Sequence, residues 1–300
     1  MGSPDFSVPV LNALARDYPL IGVVTQPDRP AGRGRELSVP PVKRAAQAFG
    51  LPLIQPEKIR EPEAMATLRA WAPDLIVVAA FGQILRKELL DLPRYGCLNV
   101  HGSLLPRWRG AAPIQTALLA GDRQTGITIM KMEAGVDTGP LLSQRSLPIA
   151  AEDTAGTLFE KLAALGADLL LETLPDYLRG KILPQPQPAE GITYAPPLKK
   201  VDGRLDFTKP TVELARRVRA FQPWPGTWIP WRESVLKILR VSTGTAQVAA
   251  GTRTIYQGLP AVGAADGLII FEEVQPAGKK AMTGKAFLAG ARDWTSTAPG

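Results

Sequence analysis

The sequence predicts an α/β fold, with a mostly parallel, doubly wound sheet in front and a small β-barrel behind. Three observations predict it. Short β-branched runs alternate with helix-period segments through the first half of the chain. Pro184, Pro186, Pro188, Pro196 and Pro197 then crowd a stretch that cannot form helix. Beyond it the pattern changes to short strand-like runs separated by glycine-rich turns.

Taken in order, Gly2-Ser3-Pro4-Asp5 reads as the turn that follows a first strand and opens a helix at Val8, yet Met1 alone precedes it. A first strand in a doubly wound sheet usually lies in the middle, so the expectation is that the true start lies upstream of Met1, and that the chain beginning at Met1 exposes a large part of its core and is poorly soluble or partly unfolded. Leu20 to Thr25, Leu75 to Ala80, Cys97 to His101 and Ile127 to Met132 read as strands, several of them buried on both faces. Val42 to Phe49, Glu63 to Trp71 and Ala112 to Ala120 read as helices between them. Asp153 or Thr154 can cap a long helix with apolar positions at Leu158, Phe159, Leu162, Leu165 and Leu169, ending by Gly180. One amphipathic helix, Val212 to Phe221, precedes the strands Val235 to Val241, Thr252 to Gln257 and Leu268 to Val274. The expected division is a catalytic domain over 1–182, an extended linker over 183–200 and a basic barrel over 201–300.

Composition narrows the function classes. The 300 residues allow two ordinary domains, and 45% hydrophobic with 21% charged residues excludes whole-chain disorder. Apolar stretches such as Leu75 to Phe81 fall short of the roughly 18 residues of a membrane span, and no basic-then-apolar leader pattern opens the chain. A cytoplasmic location without membrane attachment is the expectation. The single cysteine, Cys97, excludes an internal disulfide, and the single histidine, His101, excludes a zinc cage of several Cys and His ligands. Catalysis by imidazole therefore has His101 alone. The net charge of +7 is uneven: 20 basic and 20 acidic residues precede Lys199, and 15 basic and 8 acidic follow from it. A neutral front and a basic back suggest attraction to a polyanion, of which nucleic acid is the commonest. From charge alone, a basic face kept for solubility is the slightly favoured reading.

The stretch Cys97-Leu98-Asn99-Val100-His101-Gly102-Ser103-Leu104-Leu105-Pro106 carries the chemistry. Residues two apart on a strand share a face, so Asn99 and His101 present an amide and an imidazole side by side. The Gly102 turn puts them at the carboxyl end of the strand, where open parallel sheets bind ligands. A lone histidine there is more often structural than catalytic. Glu133-Ala134-Gly135-Val136-Asp137-Thr138-Gly139, after another strand, shifts that balance by bringing a carboxylate to the same edge.

Asn99-Val100-His101 with Ser103 to Pro106, the run Arg107 to Pro113, and Asp137-Thr138-Gly139 resemble the 10-formyltetrahydrofolate-dependent formyltransferases. Gly2 to Phe6 and Gln26 to Arg35 resemble the branch that formylates methionyl-tRNA. The resemblance runs from Met1 to Trp294 and implies a Rossmann-like formyltransferase domain followed by an OB-like barrel. It implies Asn99, His101 and Asp137 as the catalytic trio, and Ser103, Leu104, Leu105 and Pro106 as lining of the tetrahydrofolate site. The loop carrying Arg29, Arg33 and Arg35 would engage the acceptor stem of initiator tRNA, with Arg33 foremost. The implied formyl donor is 10-formyltetrahydrofolate, with no metal and no protein partner, on a monomer. Two departures stand out: the missing first strand, and Arg86 where the family usually has proline.

The chemistry of these residue types agrees. Formyl transfer requires an amine to attack a carbonyl, with negative charge growing on oxygen and positive charge on nitrogen. Asn99 can donate to the oxyanion, His101 can shuttle a proton, and Asp137 can orient or charge the ring. No covalent enzyme intermediate is needed, because the nucleophile belongs to the substrate. Formylation of a small amine, such as a sugar nucleotide or glycinamide ribonucleotide, is the alternative enzyme; the basic loop and barrel argue against it. A non-catalytic tRNA-binding protein is the alternative of another class, and the intact trio argues against that. Phe221 and Trp224, set among prolines, are assigned to packing.

Overall fold

Ile76–Val78 and Cys97–His101 form the expected parallel pair, Ile76 beside Cys97 and Val78 beside Asn99. All five residues of the second strand are buried, as a strand covered on both faces requires. The computed structural model describes residues 1–31 and 36–295. They fall into one unit made of Met1–Pro113, Gln124–Pro148 and Phe159–Ala195, and another made of Ile114–Arg123, Ile149–Leu158 and the chain from Pro196.

In the first unit, the sheet continues with Gln124–Lys131 and Leu141–Pro148, both antiparallel. The chain re-enters the sheet at the His101 end, where Thr128 pairs with His101, so the strand runs back along its neighbour. The sheet expected to be mostly parallel is therefore mixed, one parallel pairing followed by two antiparallel ones. Leu141–Pro148 has no β-branched run, and its polar Ser143, Gln144, Arg145 and Ser146 hide it from a hydrophobic-pattern reading. A second parallel ladder joins Val23–Val24 to Leu53–Ile54.

Met1 and Gly2 sit in the middle position that a first strand would fill. The Gly2 amide donates to Val24 O at 3.1 Å, and Gly2 bridges Ala79 in the parallel sense. The Ala79 amide donates to Met1 O at 3.0 Å, and the Met1 ammonium donates to Val77 O at 2.6 Å. Burial of that ammonium lowers its pKa to about 6. A cavity of about 540 Å³ follows the two flanking segments, lined by Ile21, Val23, Val24, Leu75, Ile76 and Val77 among others.

The long helix spans Ala155–Leu178, and Thr154 is its side-chain cap. Thr154 Oγ1 accepts from the Thr157 amide, and Asp153 Oδ1 accepts from the Thr157 hydroxyl. Gly166 sets its approach to the sheet: a Cβ there would lie 2.8 Å from Val100 Cγ1. Arg86 holds φ −81° and ψ 161° ahead of the Lys87–Leu90 helix, a backbone geometry proline also adopts.

Residues 183–195, read from sequence as part of a linker, make directed contacts within the first unit. Gln185 and Leu141 exchange both backbone hydrogen bonds, at 2.7 and 2.8 Å. Tyr194–Ala195 then pairs in parallel with Arg109–Gly110.

In the second unit, Thr227–Trp231, Ser234–Gly244, Leu268–Pro276, Leu259–Gly263 and Arg253–Tyr256 form one antiparallel sheet in that spatial order. Met282–Thr283 adds beside Leu268–Pro276. Register shifts between Ile238 and Val241 bend it, and its two end strands do not pair, so it is a curled half-barrel. Helix Thr211–Ala220 places Leu214 and Val218 in its core. Trp294 is 1% exposed, stacked at angles on Trp231, Phe271 and Phe287, and its indole N–H donates to Thr254 O at 2.8 Å. Phe221 is buried as expected, whereas Trp224 is 53% exposed and packs no core. Among the described residues no helix is long and apolar enough to cross a membrane.

Candidate active site

Strand alternation puts Asn99 and His101 on one face of a fully buried strand, at 9% and 6% exposure. Asp137 comes to them on the loop after Gln124–Lys131, with its backbone at φ +50°. Asp137 Oδ1 accepts from Asn99 Nδ2 at 3.2 Å, and Asp137 Oδ2 lies 3.6 Å from His101 Nδ1. The three expected catalytic residues are thus within one cluster. The Gly110 amide donates to Asp137 Oδ2 at 2.9 Å. Gly110 must be glycine: its φ is +122°, and a Cβ there would lie 2.5 Å from Ala195 O.

His101 Nε2 lies 3.1 Å from Trp108 O. A carbonyl oxygen only accepts, so the His101 Nε2–H donates to it, which leaves Nδ1 facing the Asp137 carboxylate. Trp108 has φ +63°, and its amide donates to Thr193 Oγ1 at 2.9 Å, which fixes the carbonyl that fixes the ring.

Ser103 to Pro106 form the adjoining loop, in which Ser103 and Leu105 are buried and Leu104 and Pro106 are half-buried. The Ser103 hydroxyl is turned into the loop and donates to Arg107 O at 2.6 Å. Thr128, paired across the strands with His101, braces this loop completely. Its hydroxyl donates to Ser103 O and accepts from the Leu105 amide and from Gln144 Nε2, while Gln144 Nε2 also donates to Leu105 O.

The basic segment is flanked by Arg29–Ala31 and Glu36–Ser38, which pair antiparallel. At its root Asp28 accepts from Gln55 and Lys43, and those two hydrogen bonds hold its carboxyl below the usual range. Arg29 is paired with Glu57 at 2.5 Å and is largely exposed. Arg33 and Arg35 lie outside the described residues.

Thr128, Gln144, Trp108 and Gln187 were not singled out by the sequence reading. No local signal could have found them, because each acts through a partner distant in sequence or through its backbone. Burial pushes the Cys97 thiol up to about 12, which makes it an inert neighbour of the site.

The formyl transferase family matches residues 2–174, and its C-terminal domain matches residues 197–292. The chain is 50% identical over 295 residues to the methionyl-tRNA formyltransferase of Halorhodospira halophila, covering 97% of this chain and 95% of that protein. It is 48% identical over 292 residues to the methionyl-tRNA formyltransferase of Myxococcus xanthus, covering 97% and 93%. Its fold also resembles a sugar 3N-formyl transferase solved in the presence of dTDP and 5-N-formyl-THF, at TM-score 0.67 and 18% identity over 93% of this chain and 97% of that one.

Proposed function

We propose, from the premise that the chain belongs to the formyl transferase family and to its methionyl-tRNA formyltransferases, specific roles for the residues at its site. The chain is an enzyme of translation initiation that formylates methionyl-tRNA with a folate cosubstrate. The observation that carries this is identity near one half spread over both domains, 97% of the chain. A likeness at 18% identity to a sugar-modifying relative speaks to fold alone.

In our reading the donor is 10-formyltetrahydrofolate and the acceptor is the free amino group of methionyl initiator tRNA. The amine nitrogen attacks the formyl carbon and the carbonyl electron pair moves to oxygen. The carbon–nitrogen bond to the donor then breaks, and the proton released by the amine passes to the departing nitrogen. Asn99 Nδ2 spends one N–H on Asp137 and directs the other to the oxyanion, a donor worth roughly 100 to 1,000-fold in rate. His101 Nδ1 relays the proton, and Asp137 holds the charged ring. Ser103 to Pro106 shape the folate side of the site, braced from beneath by Thr128 and Gln144.

Arg29, Arg33 and Arg35, together with the basic chain after Lys199, supply the attraction to tRNA phosphates. The division into a catalytic domain and a basic tRNA-binding domain follows from that charge distribution. We take the enzyme to act as a monomer in the cytoplasm, where its charged tRNA and folate substrates meet.

The test is a formylation assay with 10-formyltetrahydrofolate and either methionyl initiator tRNA or an amino sugar nucleotide. Formylmethionyl-tRNA should form and the sugar should not react. Faster formylation of the sugar would overturn the assignment of the acceptor.

A further inference from the structure

We infer that Gln187, in the proline-rich segment after the long helix, is a positioning residue for formyl transfer that holds the Asp137 loop in its reactive geometry. The inference rests on the catalytic reading of Asp137 above.

Every hydrogen-bonding capacity of the Gln187 amide is used. Its Nε2 donates to Asp137 O and to Gly139 O, both at 2.8 Å. Its Oε1 accepts from Arg109 Nε at 3.1 Å and from Arg109 Nη2 at 2.8 Å. Arg109 is only 7% exposed, so its guanidinium is committed to this contact rather than to solvent. A carbonyl cannot donate and a guanidinium cannot accept, so only a side chain with both functions can join the two. Gln187 is that adaptor.

The geometry points to a purpose for the bridge. Asp137 sits at φ +50°, a backbone state that costs an ordinary residue energy and persists only when its surroundings impose it. Gln187 pins the carbonyl of the strained residue itself and that of Gly139, two residues on. Gly110, the neighbour of Arg109, pins the Asp137 carboxylate from the other side. Arg109–Gly110 is in turn fixed by pairing with Tyr194–Ala195, a few residues beyond Gln187. One segment therefore secures the carboxylate by two routes, through the backbone of Gly110 and through the side chain of Gln187. Pro186 and Pro188 flank Gln187 and restrict it to extended backbone, so the amide is presented with little conformational freedom.

Gln187→Glu separates this role from mere packing. It keeps the shape and both acceptors for Arg109, and it loses both donors to the loop. Gln187→Ala loses all four contacts. With folding confirmed by circular dichroism and thermal melting, both variants should lower kcat by about 10 to 100-fold while KM for the formyl donor changes little, the size expected when a reacting group is misplaced by about an ångström. In an Asp137→Ala background, Gln187→Glu should have almost no additional effect, since the group it positions is gone. Wild-type kcat in Gln187→Glu, or a loss that adds in full on top of Asp137→Ala, overturns the positioning role. A fast Asp137→Ala single variant instead overturns the catalytic reading on which it rests.

Discussion

His101 Nδ1 lies 3.6 Å from Asp137 Oδ2, while Nε2 of the same ring lies 3.1 Å from Trp108 O. The ring is thereby oriented on one side by a carbonyl that can only accept a hydrogen bond, and it turns its other nitrogen to a carboxylate. In the proposed mechanism this asymmetry makes Nδ1 the relay atom.

His101→Ala should accordingly lose on the order of 100 to 10,000-fold in turnover, and Asn99→Ala on the order of 100 to 1,000-fold, with folate affinity nearly intact. Asp137→Ala should resemble His101→Ala. Single-turnover formylation at saturating donor, alongside equilibrium folate binding, measures both quantities. Near wild-type turnover in all three variants would remove the proposed centre.

Gly110→Ala should damage stability and catalysis together. The new Cβ must relieve a 2.5 Å approach to Ala195 O at φ +122°, which costs about 1–3 kcal/mol and draws the Gly110 amide away from Asp137. Urea unfolding and kcat report the two effects. A variant with unchanged midpoint and unchanged kcat contradicts the account of this contact.

Binding of methionyl-tRNA should weaken steeply with salt, with a log–log slope of roughly 0.7–0.9 per phosphate neutralised. Arg33→Ala should weaken it further and leave folate binding untouched. Titrations at several salt concentrations, on the full chain and the variant, decide this. A flat salt response with unchanged affinity would favour a small-amine acceptor.

Cys97 should resist thiol reagents in the folded protein. Its thiol is buried and raised to about 12, so at pH 8 only about one molecule in ten thousand carries the reactive thiolate. Guanidinium should release one reactive thiol per chain. Stoichiometric labelling of the native protein within minutes would disprove the burial.

Stability of the chain with Met1 as its amino terminus should rise with pH between about 6 and 8. The ammonium has a folded pKa of about 6 against 8.0 for the exposed group, so the unfolded state binds more protons in that window and protonation favours unfolding. The difference amounts to about 2–3 kcal/mol, fully present above pH 8 and lost as pH falls through 6. Melting curves across pH test it, and pH-independent curves refute it.

Much of the architecture was legible because it rests on local pattern. Cys97–His101, Ile76–Val78 and the long helix after Asp153 match their expected positions within a few residues. So does the helix Thr211–Ala220. The strand Leu141–Pro148 was not legible, since its polar alternation carries no hydrophobic run. The segment around Gln187 was misleading: its prolines announce extended chain truthfully, but extended chain reads as linker until its partners Leu141, Arg109 and Asp137 are known.

What the sequence determined by itself was the set of candidate site groups. Asn99 and His101 are two apart on a buried strand, and strand periodicity alone places them on one face, while the motifs around them and Asp137 identify the family. Tertiary structure alone decided how those groups are held. The Asp137 carboxylate is fixed by the Gly110 amide, the His101 ring by the Trp108 carbonyl, the Ser103–Pro106 loop by Thr128 and Gln144, and the Asp137 backbone by Gln187. These supports are hydrogen bonds, most of them between segments far apart in the chain and to backbone atoms. Every residue but proline has the same backbone donor and acceptor, so residue type does not mark where such a bond will form, and only the folded chain brings the pair together.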